Sequence, residues 1–193
     1  MRKSSHGQVR EPALEYILSL IRIQVANKYI KEGTKVADLG CGYNGIFLRR
    51  IAKRIKLGDG YDVSVKNKNL PKNIILNNTD LNKNNFGKSK YYDHVTALAV
   101  LEHVENPNRF LKLAKKILKP GGTLIITTPH KRSKKILELF SRIGILSKEE
   151  IGDHKNYFDE HRMKTDLKNL DFKIIKLGTF EFGLNICCVA KKV

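Results

Sequence analysis

The sequence predicts an α/β fold: a doubly wound, mostly parallel sheet that ends in an antiparallel hairpin, with helices on both faces. Three observations predict it. Short apolar runs alternate with amphipathic stretches over most of the 193 residues, the pattern of strands joined through helical crossovers. One run, 36–39, breaks at Gly40, Gly42 and Gly45 and passes into a helical pattern at Ile46. Two late strands, near 172–177 and 184–190, lie close enough in sequence to form a hairpin.

Taken in order, residues 11–30 place Leu14, Ile17, Leu18, Ile21 and Val25 at helical spacing. Pro12 suits the first turn, and Gly33 lies just past the end. The first strand covers about 35–39, and Ile46, Phe47, Ile51 and Ile55 mark an amphipathic helix over 46–55. A second strand, 58–63, ends at Asp62. A third, 73–77, carries Ile74, Ile75 and Leu76 and is closed by Asp80. Residues 81–90 are rich in Asn and Lys and read as loop. The apolar run 92–99 is typical of an interior parallel strand. A helix over 107–118 has Asn106 as its cap. Residues 119–122 make a sharp turn into a strand at 123–128, which Pro129 ends. Helices follow at 133–143 and 160–170 with a polar, irregular stretch at 147–157 between them, and residues 178–183 join the final strands. No repeat or linker divides the chain, so one domain over 1–193 is expected, with a helical N-terminal segment at 1–34 and a substrate-side cap at 131–157.

Composition narrows the function classes. The formal net charge is +18, which raises nucleic acid, an anionic membrane surface or an anionic small substrate as partners. The Lys and Arg residues are spread along the chain, and the aromatic interleaving that suits base stacking is weak. Three cysteines, with no spacing that suggests zinc, read as reduced and structural, and no metal site is expected. No apolar run approaches the ~20 residues that cross a bilayer. The basic N-terminus has no apolar stretch behind it, so a cytoplasmic, soluble protein is expected.

The glycine turn carries the chemistry. Glycine is needed where the backbone takes positive φ or must come close to a ligand. The spacing matches a dinucleotide-binding turn, but Asp38 stands two places before the first glycine. An acid there repels a pyrophosphate and attracts a cation. It favours a positively charged, phosphate-free ligand, and a sulfonium amino acid fits.

Four stretches, VADLGCG (36–42), GYDVS (60–64), YDHVTALAVLEHV (92–104) and LKPGGTLIITTP (118–129), stand in an order and spacing that are specific together. On them the chain resembles the class I S-adenosylmethionine-dependent methyltransferases, of the broad subgroup with small-molecule and lipid-type substrates. The resemblance implies a Rossmann-like sheet of seven strands in the order 3-2-1-4-5-7-6, with S-adenosyl-L-methionine as cofactor. It implies that Asp38, Gly40, Cys41 and Gly42 line the methionine end. Asp62, 20 residues after Gly42, would accept the ribose hydroxyls with Val63 beside it, a role that acids also play toward other nucleotides. Asp80 would accept from the adenine amino group with Leu81 nearby, and Leu98 and Leu101 would flank the cofactor beyond the fourth strand. Asp93 reads as structural.

The histidines are open. His103, after Glu102 at the carboxyl end of the sheet, is a general base or a positioning residue. His130 faces the expected cleft as a substrate contact. His154 is a substrate or catalytic residue by resemblance, or an unpaired surface histidine. Methyl transfer from a sulfonium asks mainly for alignment, and a base helps when the acceptor is a hydroxyl. No Asn-Pro-Pro-Tyr-type or Pro-Cys motif of base methylation is present, nor a recognisable Lys-Asp-Lys-Glu pattern of ribose methylation. These absences favour a small-molecule, glycan or lipid-linked acceptor, entering over 131–157, above RNA or DNA. An RNA methyltransferase and a non-catalytic binding protein are the alternatives, and a monomer or weak dimer is expected.

Overall fold

The computed structural model describes residues 13–83, 85–134, 136 and 155–193. The elements run α1 (Ala13–Asn27), β1 (Lys35–Leu39), α2 (Ile46–Ile51), β2 (Leu57–Asp62), β3 (Ile74–Asn78), β4 (Tyr92–Leu98), α3 (Pro107–Ile117), β5 (Leu118–Pro129), a 3₁₀ turn (Lys131–Ser133), α4 (Glu160–Lys168), β6 (Phe172–Phe180) and β7 (Asn185–Lys192). The strands form one sheet in the order β3-β2-β1-β4-β5-β7-β6. β1 to β5 pair in parallel, and β7 runs antiparallel to both β5 and β6. This is the order and hairpin expected from the sequence.

Alternate residues of each central strand face opposite layers. Val36, Ile125, Cys187 and Val189 pack with Ala26 and Ile30, at and just past the end of α1, and with Phe47, Leu48 and Ile51 of α2. Ala37, Leu39, Val95, Leu124 and Ile126 pack with Phe110, Leu111 and Ala114 of α3 and Met163 and Leu167 of α4. Fully buried side chains such as Phe110 and Leu111 each contribute roughly 1.5–3 kcal/mol. Asn106 caps α3 as expected, accepting from the Arg109 amide at 2.9 Å, and Asp159 caps α4 by accepting from the Arg162 amide at 2.8 Å.

Three boundaries differ from the sequence expectation. The helix expected over 46–55 ends at Ile51, because the Asn73 amide donates to the carbonyls of Ala52 and Ile55, both at 2.9 Å, and closes the chain into turns. The sharp turn expected at 119–122 lies inside β5: Tyr92 pairs with Leu118 but His94 with Thr123, so extra residues bulge out of register. β6 passes through Gly178 to Phe180, where Cys187 and Asn185 of β7 hold it, so the hairpin loop is shorter than 178–183. Of the helix expected at 133–143 and the cap at 131–157, residues 135 and 137–154, His154 among them, lie outside the described residues. Asp93 accepts from the Lys35 amide at 2.9 Å and pairs with Lys119 at 2.5 Å, a structural tie at the opposite edge of the sheet from the glycine turn.

Candidate cofactor and acceptor site

The carboxyl ends of β1, β2, β4 and β5 meet at one edge. In open α/β sheets ligands bind at this edge, where the strand order reverses, here between β1 and β4. The turn after β1 is built by steric need. Gly40 has φ 74°, and a Cβ there would sit 2.3 Å from Val100 Cγ2. A side chain at 40 would therefore be strained in its backbone and would collide with the turn after β4. The Gly40 amide donates to the Tyr61 carbonyl at 2.8 Å, which ties the turn to β2.

Two acids stand beside it on adjacent strands. Asp62 closes β2, and its oxygens accept from the Gly42 amide and from the Val63 amide, both at 2.8 Å. Its carboxylate is thus fixed against the glycine turn. Asp38 is buried inside β1 and accepts from Thr96 Oγ1 at 2.6 Å. Burial raises its pKa to about 7. The Thr96 hydrogen bond opposes that rise, and the charge of Asp62 adds to it. A cation placed here would favour the carboxylate form. Cys41 points into the α2-side core: its Sγ lies 2.8 Å from where a Gly60 Cβ would be. Burial, then the charges of Asp38 and Asp62, push its thiol well above the usual range. Any contact from Cys41 to a ligand therefore comes from its backbone.

The remaining expected positions divide. Asp80 makes a turn, accepting from the Asn82 amide at 3.0 Å, and its carboxylate lies 3.8 Å from Lys83 Nζ. Leu81 is buried, and its carbonyl accepts from Arg109 at 3.4 Å. Leu98 is half-buried against the α2-side core. Leu101 is wholly buried among α3-side residues, so its side chain packs in the core and faces no cleft. His103 is half-buried, with its amide donating to the Val100 carbonyl at 2.9 Å. Its neighbour Glu102 is buried. The Glu102 carboxylate accepts from Thr128 Oγ1 at 3.0 Å, and its carbonyl accepts from the amides of Lys155 and Asn156 at 2.8 and 3.0 Å. Glu102 thus joins the turn after β4, the end of β5 and the chain entering α4. His130 is 1% exposed. Its Nδ1 accepts from the Arg132 amide at 2.9 Å and its Nε2 lies 3.0 Å from Glu160. Both ring nitrogens are engaged by protein, so contact with a substrate requires Glu160 to let go.

Three residues of this edge went unread in the sequence. Thr96 is the partner of Asp38, and strand alternation would have put both on one face. Val100 fills the space above Gly40. Ala99 has φ 55°, an uncommon conformation for a residue with a Cβ, of the kind that collects at functional sites. Its amide donates to the Thr127 carbonyl at 2.9 Å, with the Thr127 hydroxyl at 3.2 Å. No pattern in the sequence marks Ala99.

A sheet of this order with an acid-flanked glycine turn defines the Rossmann-like methyltransferase class by fold. The structure overlays an S-adenosylmethionine-dependent methyltransferase from Mesorhizobium loti with a TM-score of 0.67 at 16% identity, covering 88% of this chain and 96% of that one. It also overlays the 4+2 cyclase SpnF with a TM-score of 0.71 at 15% identity, covering 98% and 85%. These likenesses show the fold, and the second shows that the fold alone does not select the reaction. The sequence decides the family: the Methyltransferase domain model matches residues 10–177, and the chain belongs to that family. Among curated relatives, the mitochondrial ubiquinone biosynthesis O-methyltransferase of Dictyostelium discoideum is 29% identical over 173 residues, covering 72% of this chain and 53% of its own. The ubiquinone biosynthesis O-methyltransferase of Coxiella burnetii is 28% identical over 131 residues, covering 63% and 55%. The chain spans about half the length of these relatives.

Proposed function

We propose that the protein is an S-adenosyl-L-methionine-dependent methyltransferase that methylates a hydroxyl of a small-molecule, quinone-type acceptor. The observation that carries the cofactor half is the pair of acids on neighbouring strands: Asp62, fixed by two backbone amides at the tip of β2, and Asp38, buried beside the glycine turn. Asp62 would accept the ribose hydroxyls. Asp38 offers negative charge to the cationic amino-acid end, and Gly40 and Gly42 let backbone approach it. When bound, the cofactor supplies an electrophilic methyl group. The chain supplies orientation and a water-poor edge, worth up to ~7–11 kcal/mol when alignment is good. His103, in the turn after β4 whose neighbour Glu102 is tied to Thr128, is the proposed general base for the acceptor hydroxyl, with His154 as a second proposed acceptor contact. The names of the relatives, ubiquinone biosynthesis O-methyltransferases, support O-methylation of a quinone precursor.

The +18 charge is compatible with an anionic acceptor or surface, and no helix among the described residues is long and apolar enough to cross a membrane. A cytoplasmic monomer or weak dimer completes the reading. Calorimetry with S-adenosylhomocysteine tests the cofactor half. Transfer of labelled methyl into a hydroxylated quinone precursor, compared with total RNA, tests the acceptor half. Failure of S-adenosylhomocysteine to bind or to raise Tm at saturating concentration would sink the proposal.

A further inference from the structure

The β6–β7 hairpin buries two oxygens that have no hydrogen-bond donor among the described residues. Glu181 follows β6 and Asn185 opens β7, at the same sheet edge as the glycine turn. The Asn185 amide nitrogen donates to Glu181 Oε2. Glu181 Oε1 and Asn185 Oδ1, both shielded from solvent, receive no hydrogen bond among the described residues. Asn185 is only 9% exposed. Leaving such a group unsatisfied is destabilising, and buried polar groups in native proteins nearly always find a partner. Two acceptors side by side call for the same thing, a ligand that donates.

The position suits the acceptor. Asn185 pairs with Pro129 of β5, and the neighbouring Leu184 carbonyl accepts from the His130 amide at 2.8 Å. Thr127, which holds Ala99, pairs with Cys187, two residues along β7 from Asn185. Asn185 therefore lies two strand spacings from β4, about 10 Å across the sheet, roughly the span of one substituted ring beside the turn after β4. The chemistry favours a neutral donor over a cation: burial raises the Glu181 pKa and disfavours its charge, with Arg22 of α1 opposing that rise, and the chain carries a net charge of +18.

We propose that Glu181 and Asn185 form an acceptor-side subsite that takes a hydroxyl of the methyl acceptor and fixes which oxygen faces the methyl donor. The inference rests on the methyltransferase reading above. It adds two specificity-determining residues that belong to none of the four stretches carrying the family resemblance.

The test titrates 4-methylcatechol into the full chain saturated with S-adenosylhomocysteine, for the wild type and for Glu181→Gln and Asn185→Leu. Both variants are expected to keep the wild-type affinity for S-adenosylhomocysteine. Each is expected to weaken 4-methylcatechol at least tenfold and, in methyl transfer to it, to raise KM more than it lowers kcat. Asn185→Leu removes one orphan oxygen but also the donor to Glu181 Oε2, so its Tm in the absence of ligand is expected to fall, and affinities are compared at a temperature where both variants are folded. Catechol affinity unchanged in both variants, or no binding of 4-methylcatechol to a wild type that does bind S-adenosylhomocysteine, overturns the subsite. Loss of S-adenosylhomocysteine binding by the wild type would instead overturn the methyltransferase reading.

Discussion

The two halves of the sheet treat their buried acids differently. In the β1–β2–β4 half the acids are answered from within: Asp62 takes two backbone amides and Asp38 takes the Thr96 hydroxyl. In the β5–β7–β6 half, Glu181 and Asn185 answer each other once and leave two oxygens without donors. The two acids of the first half have donors before any ligand arrives and present a fixed shape. The second is satisfied only when something binds. Such a division suits an enzyme with an invariant cofactor and a particular acceptor, because preorganisation favours the ligand that never changes.

The largest expected effect strikes the first half. Asp62→Ala removes the proposed ribose acceptor and takes the side-chain acceptor from the Gly42 and Val63 amides. S-adenosylhomocysteine affinity should fall on the order of 100-fold or more, since hydrogen bonds to charged groups are worth ~1.5–3 kcal/mol each. A fall of less than threefold by calorimetry would break the comparison at its stronger side.

Gly40→Ala comes next. Positive φ and the Val100 contact together should destabilise the fold by roughly 2–3 kcal/mol, visible as a lower Tm. Adding Val100→Ala should recover only part of it, because the backbone strain remains.

Asp38→Asn sharpens the contrast by moving two quantities in opposite directions. In the unfolded chain Asp38 ionises near 3.8, and in the folded chain near about 7. Between those values the folded state holds the extra proton. The Asp38 contribution to stability is therefore fully present below about 4, shrinks as pH rises toward about 7, and is constant above. At about 1.4 kcal/mol per pH unit, the burden above pH 7 is on the order of 4 kcal/mol. Asp38→Asn should raise the Tm of the ligand-free protein by several degrees at pH 8 while weakening the cationic ligand. In the wild type, S-adenosylhomocysteine affinity should fall as pH drops from about 8 to about 6, and the variant should lose that dependence. A pH-independent wild type would show that Asp38 does not face the ligand's charge.

The smallest effect belongs to the contact between His130 and Glu160. Glu160→Gln weakens the 3.0 Å contact with His130, but Glu160 is 44% exposed. Its expected cost to stability is below about 1 kcal/mol. A measurable change in acceptor KM without a change in Tm would show that His130 reaches the acceptor when Glu160 releases it.

Much of the first half was legible in the sequence because its contacts are local or periodic. The glycines announce a turn, and Asp62 marks the end of the short second strand expected at 58–63. Thr96 was not legible, because its bond to Asp38 crosses 58 residues and depends on β1 and β4 pairing in one register. The setting of Leu101 was hidden for a related reason: left-handed Ala99 turns the chain after β4, and the Leu101 side chain enters the α3-side core. Glu181 and Asn185 lie four residues apart, yet were hidden by reading Gly178 as the end of a strand. Pairing with β7 carries β6 through that glycine, and the hairpin tip shifts onto Glu181.

By itself the sequence determined the alternation of strands and helices, the glycine turn and the acid at the tip of the second strand, because each depends on backbone preference and on burial period within a few residues. Only the tertiary structure decided which acids find donors, which histidine is pinned and which oxygens are left waiting. Those outcomes depend on strand register, and register is set by the packing of the whole sheet.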